Sequence, residues 1–238
     1  MLSTISELWA DLKCRNFRWG GGVLNVIMKI KFSINYQELI SVENLFAAWK
    51  EFINGKRSKP DVQRFAHALI DNILQLHEDL ANKTYKHGGY HCFNISDPKP
   101  RNISKAIVRD RLLHHAIYRK FYPFFDKTFI ADSYSCRINK GTHKAIDRLL
   151  GMYYKVSKNN HKTCWILKCD IRKFFGSIDH NILLKILQYY IPDQDILWLM
   201  KNIIVSFSTS ENKGLPLGNL TSQLFVNVYM NEFDQRKT

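Results

Sequence analysis

Apolar residues at Val62, Phe65, Ala66, Leu69, Ile73, Leu76 and Leu80 recur at the 3.6-residue period of an amphipathic helix. Pro60 stands at the entry and polar Asn82 at the exit, so the spacing predicts one helix from Asp61 to Leu80. A helix of this length must bury its stripe against other elements, and the sequence supplies partners of the same kind. Helices are expected over about Val42 to Ile53, Val108 to Tyr122, Thr142 to Tyr154, Ile182 to Tyr190, Gln194 to Val205 and Thr221 to Asp234. Gly55 and Pro123 are the expected stops of two of them, and Thr142 and Asp179 the expected caps of two others. Strand signals are few. Alternation in Tyr90 to Ile95, closed by the Asp97-Pro98 turn, predicts one strand. Cys164 to Asp170 predicts another, with Trp165, Leu167 and Cys169 on one face and Ile166, Lys168 and Asp170 on the other.

The chain has 238 residues, enough for one large domain or two small ones with a real core. A hydrophobic fraction of 45% excludes a disordered or collagen-like polymer. No run approaches the ~18 apolar residues that would span a bilayer. Met1 to Ile27 carries acidic residues and Gly20-Gly21-Gly22 where a signal peptide would have a continuous apolar core, so the chain reads as cytoplasmic, with no membrane partner. Residues 1–27 look unlike the rest, and Met28 is the expected natural start, preceded by a non-native or disordered extension. Cys14, Cys92, Cys136, Cys164 and Cys169 are odd in number and scattered, which predicts free thiols rather than disulfides or a zinc site.

Lys and Arg number 35 against 21 Asp and Glu, a net charge of +14. The segment from Lys83 to Arg148 alone holds 14 Lys and Arg against five Asp and Glu. Such an excess attracts polyanions, either nucleic acid or an anionic membrane surface. Tyr85, Tyr90, Phe93, Tyr118, Tyr122 and Tyr134 interleave with the cations. That mixture suits phosphate contact combined with base stacking, although a solvated helical face would also be basic.

Two segments carry chemistry. In Asp170-Ile171-Arg172-Lys173-Phe174-Phe175-Gly176-Ser177-Ile178-Asp179-His180, a carboxylate ends an expected strand and a tight aromatic turn leads to a capped helix. A carboxylate so placed could bind a hard divalent cation, though an Asp at a strand end serves more often as a cap or turn residue. In Gly214-Leu215-Pro216-Leu217-Gly218-Asn219-Leu220-Thr221-Ser222-Gln223, two glycines and a proline make a rigid loop before a helix amino end. Together with Pro98-Lys99-Pro100-Arg101-Asn102-Ile103, Arg109-Asp110-Arg111-Leu112-Leu113-His114 and the block from Ser133 to His143, this order of segments resembles the reverse transcriptases of bacterial retroelements over about Val42 to Gln235.

The resemblance implies an α+β fold of right-hand polymerase type, helix-rich with a small antiparallel sheet. Fingers and N-terminal helices would take 28–160, a partial palm 161–238, and the thumb would be absent. It implies RNA-directed DNA polymerase chemistry on template RNA, a primer or cDNA and deoxynucleoside triphosphates, with magnesium as cofactor, and leaves room for a small basic accessory protein. Lys99, Arg101, Arg137 and Lys140 match the basic residues that hold the triphosphate. Asp170 matches the first catalytic, metal-binding carboxylate, assisted by the Ile171 carbonyl. Phe175 matches the aromatic gate against a ribose 2′-hydroxyl. Gly218 and Gln223 match the loop against the nascent base pair, and Arg109, Arg111, Lys144, Gly214 and Pro216 would flank the nucleic acid. Leu217 stands where most reverse transcriptases carry Gln, a variant similar to diversity-generating retroelement enzymes. His114, His115 and His143 read as packing or phosphate-facing groups.

Two-metal phosphoryl transfer needs several carboxylates, in this family an Asp-Asp pair as well as the palm Asp. The 238 residues contain no Asp-Asp. The expectation is therefore a chain inactive by itself, with a non-catalytic RNA-binding module as the alternative, and with the strand Cys164 to Asp170 left as an exposed apolar edge.

Overall fold

A computed structural model describes residues 31–96 and 99–235. The expectations for residues 1–27 and for the turn at Asp97-Pro98 lie outside these residues. Two capped helices come first, α1 (Tyr36–Ile40) and α2 (Val42–Phe52), where the side chains of Asn35 and Ser41 accept from the backbone N–H of Glu38 and Asn44.

The single helix expected over Asp61 to Leu80 is two, α3 (Pro60–His67) and α4 (Leu69–Ala81), broken at Ala68 with φ −117° and ψ 45°. The Asn72 side-chain amide donates to the Phe65 carbonyl at 2.9 Å, satisfying a group that the break frees. With the bend, Phe65 reaches the Trp49 ring, 5.3 Å between centroids, while Ile73, Leu76 and Leu80 of α4 remain buried in the core. Tertiary packing here overrides an unbroken local period.

The antiparallel hairpin of β1 (Tyr90–Ile95) and β2 (Arg101–Ala106) runs in register from Tyr90 opposite Ala106 to Ile95 opposite Arg101. Helix α5 (Val108–Phe125) follows and runs through Pro123, where a stop was expected. Proline forfeits one N–H, but Phe121, Tyr122 and Phe125 are buried there, and the Asp126 N–H still donates to Tyr122 at 2.9 Å. Helix α6 (Thr142–Val156) is capped by Gly141 at φ +111°, so Thr142 is its first helical residue and not its cap. Helix α6 buries no residue.

The strand expected over Cys164 to Asp170 is not formed. A strand needs a neighbour to pair its N–H and C=O groups, and the hairpin is the sole sheet among the described residues. Trp165 is accordingly 91% exposed and Leu167 88%. A short helix α7 (Phe174–Ser177) is entered through Lys173 in the left-handed region, φ 50°. Helices α8 (His180–Tyr190), α9 (Gln194–Val205) and α10 (Leu220–Asp234) complete the chain. Asp179 caps α8 as expected, accepting from Asn181 at 2.9 Å and Ile182 at 3.0 Å.

One continuous apolar core joins these pieces. Helix α5 packs against α2 and α10, and α8 packs against α9 and α10. Leu112, Leu113, Ile117 and Phe121 of α5 lie wholly inside, with Leu45, Leu187, Leu199 and Ile204 from its neighbours. Full burial of each such side chain contributes roughly 1.5–3 kcal/mol. No helix among the described residues is long and apolar enough to cross a membrane.

Candidate functional site

The segment after Asp170, the loop from Gly214 and the basic hairpin are distant in sequence, yet backbone hydrogen bonds join all three. The Gly214 N–H donates to Ile178 at 2.8 Å, that of Leu215 to Phe175 at 2.8 Å and that of His180 to Asn212 at 2.9 Å. The His180 ring adds a 2.7 Å bond from Nε2 to the Gly214 carbonyl, and Thr209 Oγ1 donates to Gly176 at 2.6 Å. On its other side the loop meets β2, where the Ser104 N–H donates to Leu217 at 2.9 Å. The Asn219 amide donates to Ser104 at 2.9 Å and accepts from Ala106 at 3.3 Å.

Glycine is required twice in this loop. Gly214 has φ +108°, and a Cβ there would lie 2.6 Å from Thr209 Oγ1 and 2.9 Å from its backbone nitrogen. Gly218 has φ +105°, and a Cβ would meet the Ile103 side chain at 2.7 Å. Gly214 and Pro216 are buried, so they shape the loop, whereas Gly218 is exposed at its turn.

A cavity of about 290 Å³ opens beside Gly218 and Gln223. Phe52, Phe93 and Ile103 give it apolar walls, and Lys56, Lys105 and Arg111 give it charge. One carboxylate faces these cations, since Asp61 accepts from Arg111 at 2.6 Å and pairs with Lys105 at 2.7 Å. His114 and His115 line it too. Burial, reinforced by nearby His87, His115 and Arg111, takes His114 down to about 3, and burial with the adjacent Lys56 takes His115 down to about 4. Both rings are neutral near pH 7. His114 in addition bonds the His87 ring, 3.3 Å between Nε2 atoms. Lys56, Lys105, Asp61 and Asn219 were not singled out from the sequence. Only Asn219 carried a signal, its position directly before an apolar helix.

The other expected cations divide into held and open groups. Arg137 is held: it bonds Asp126 Oδ1 at 2.8 Å and the carbonyls of Ile130 at 2.9 Å, Ser133 at 3.0 Å and Asp126 at 3.2 Å. Arg109 pairs with Asp79 and lies over the Tyr85 ring. Lys140 donates to Ala131 at 2.7 Å and lies over Tyr134, and Lys144 donates to Asn139 at 2.8 Å. Lys99 and Arg101 are exposed on the hairpin. The structure thus brings Gly218, Gln223 and Arg111 to one cavity, and places Arg137 and Lys140 on the separate loop leading into α6 and Lys144 in the first turn of that helix.

Asp170 is exposed, Ile171 half-buried, and Phe175 half-buried with its ring edge-on to Phe174, 6.2 Å between centroids. Among the described residues no three His, Cys, Asp or Glu side chains converge on a point.

The profile of the reverse transcriptase (RNA-dependent DNA polymerase) family matches residues 86–237, a span holding the hairpin, Asp170 and the glycine loop. The chain belongs to the reverse transcriptase family. Reverse transcriptases as a family use divalent ions such as magnesium. The chain is 25% identical over 146 residues to protein YkfC of Escherichia coli (strain K12), covering 59% of this chain and 38% of the relative. It is 24% identical to an uncharacterized 91 kDa protein in the cob intron of Schizosaccharomyces pombe, covering 93% of this chain and 30% of that protein. A COX1/OXI3 intron 1 protein of Saccharomyces cerevisiae is 25% identical over 68% of this chain and 20% of its own length. The chain thus spans well under half the length of each. The fold resembles a chain of the partial Cas6-RT-Cas1–Cas2 complex, with a TM-score of 0.56 and 20% identity over 84% of this chain and 34% of that one.

Proposed function

We propose that the chain forms the fingers and the amino-terminal palm of an RNA-directed DNA polymerase, with 28–160 as N-terminal helices and fingers and 161–238 as partial palm. The observation that carries this reading is the hydrogen-bonded junction of the Asp170 turn, the Gly214 loop and the basic hairpin. Three segments with the residue types of one polymerase site meet there, although 115 residues separate Ser104 of the hairpin from Asn219 of the loop.

In this reading Lys99 and Arg101, exposed on the hairpin, neutralise the triphosphate of an incoming deoxynucleotide, with Lys140 and the well-anchored Arg137 shaping the adjoining loop. Gly218 and Gln223 lie against the nascent base pair, and the basic cavity beside them takes the nucleic acid. Arg109, Arg111 and Lys144 flank the strand, and Gly214 and Pro216 keep the loop rigid. Asp170, with the Ile171 carbonyl, supplies one part of a magnesium site. Phe175 stands as the gate against ribonucleotides. The names of the intron relatives support a retroelement setting, and Leu217 at the loop supports an error-tolerant, diversity-generating type, because losing a Gln removes a polar contact near the nucleotide.

The test is RNA binding followed by RNA-templated incorporation of deoxynucleotides. Affinity for RNA should fall steeply with salt. Synthesis that survives Asp170→Ala would contradict the metal assignment, and Phe175→Ala should admit ribonucleotides. RNA binding with no synthesis from the complete gene product would favour the non-catalytic binding module instead.

A further inference from the structure

Asn219 occupies the N-cap position of α10, where an Asn side chain ordinarily accepts from the first turn of its own helix. Here it makes no such bond. Its carboxamide is turned to β2 instead, donating to the Ser104 carbonyl at 2.9 Å and accepting from the Ala106 N–H at 3.3 Å. Two residues earlier the Leu217 carbonyl accepts from the Ser104 N–H at 2.9 Å. The N–H groups of Ser104 and Ala106 and the Ser104 carbonyl face away from β1, along the free edge of the hairpin. A carboxamide carries both N–H donors and a C=O acceptor, so the Asn219 side chain meets the free edge of β2 as a neighbouring peptide unit would. Ser104, Ala106 and Asn219 are all at most 3% exposed, so water does not share these bonds.

The same short segment carries the positive φ of Gly218, and Ile103 of β2 lies where a Gly218 Cβ would stand. Hairpin and loop are thereby fixed to one another at a single seam. We infer that Asn219 is a positioning residue that sets the gap between the basic hairpin and the Gly214–Gln223 loop, the two walls of the nucleotide site, and so tunes nucleotide affinity through the placement of those walls. The inference rests on the polymerase reading for its nucleotide part and on geometry alone for the seam.

The two parts separate in one experiment on the full chain, combining amide hydrogen exchange with dATP binding in magnesium. Asn219→Ala should raise exchange at Ala106 by at least about tenfold, the loss of roughly one buried hydrogen bond, while the Leu187 and Ile191 amides of the core keep their protection. Asn219→Asp keeps the volume and the acceptor but sets a carboxylate against the Ser104 carbonyl, so it should loosen the same amide with no cavity left behind. Both variants should weaken dATP several-fold, because a loop no longer held at β2 presents Gly218 and Gln223 in the binding geometry for less of the time. Lys99→Ala with Arg101→Ala should weaken dATP while leaving Ala106 protected. Unchanged exchange at Ala106 in both Asn219 variants would overturn the seam. Faster exchange with unaltered dATP affinity would overturn the positioning role. If dATP binding ignores Lys99 and Arg101, the hairpin is no nucleotide wall and the polymerase reading fails, while the Ala106 amide still decides the seam.

Discussion

The backbone N–H of Leu215 donates to the carbonyl of Phe175 at 2.8 Å. Forty residues separate the two, and the bond fastens the glycine loop to the aromatic turn that follows Asp170. A change in the loop's backbone is therefore expected to move the turn.

Gly214 gives the sharpest test of that coupling. Gly214→Ala forces a Cβ against the Thr209 backbone at a φ of +108°, and should cost about 2–4 kcal/mol of unfolding free energy, combining strain with a steric clash. Gly218→Ala meets the Cγ2 methyl of Ile103 and no backbone atom, and should cost less, about 1–2 kcal/mol. Urea unfolding of the two variants measures the difference, and equal costs would contradict the packing described around Thr209.

Arg137 anchors a loop rather than presenting a free guanidinium. Its four hydrogen bonds hold Asp126, Ile130 and Ser133 together, and a lysine can make few of them. Arg137→Lys should lower stability by about 2–3 kcal/mol, as expected for losing two or three charge-assisted bonds. RNA affinity measured against salt should keep its slope in this variant.

Lys99 and Arg101 should behave in the opposite way. Both are exposed, so Lys99→Ala with Arg101→Ala should leave thermal unfolding within about 0.5 kcal/mol of the parent. Since they neutralise the triphosphate of the incoming nucleotide, dATP affinity should fall and lose part of its salt dependence in the double variant, while the salt slope of RNA affinity stays as in the parent. Unchanged dATP affinity in the double variant would place the triphosphate elsewhere.

His114 and His115 impose a pH dependence. Burial holds both folded values down, to about 3 and about 4, while the unfolded chain titrates near the ordinary value of about 6.5. Below that value the unfolded state binds more protons than the folded state, so stability is complete above about pH 6.5 and is lost as the pH falls toward 4. His115→Gln should flatten the decline in the melting temperature between pH 6.5 and 4. An unchanged decline would mean that His115 keeps its ordinary protonation in the fold.

Much of this was legible in the sequence, and particular residues show where legibility ended. Helix α9 and strand β1 lie where period and alternation put them, and Asp179 caps α8, because these features depend on neighbours within a few residues. Ala68 and Pro123 misled in opposite directions, the one breaking an unbroken apolar period and the other failing to stop a helix whose next turn is buried. The segment from Cys164 to Asp170 has strand-forming residues but no pairing partner among the described residues, and pairing is a property of two segments. The same limit hid β2, whose Arg101-Asn102-Ile103-Ser104-Lys105-Ala106 has little alternation and owes its order to β1 on one edge and Asn219 on the other. At the site, Asp170, Gly218 and Gln223 carried recognisable patterns, whereas Lys56, Asp61 and Lys105 come together only through the fold.

The most direct test of the polymerase assignment is primer extension on an RNA template by the complete gene product, with the parent sequence and Asp170→Ala compared at equal RNA occupancy. The expected result is deoxynucleotide incorporation by the parent and its loss, by a factor of at least about 1000, in the variant, with RNA affinity unchanged. Incorporation by Asp170→Ala at the parent rate would contradict the assignment of this junction as the polymerase site.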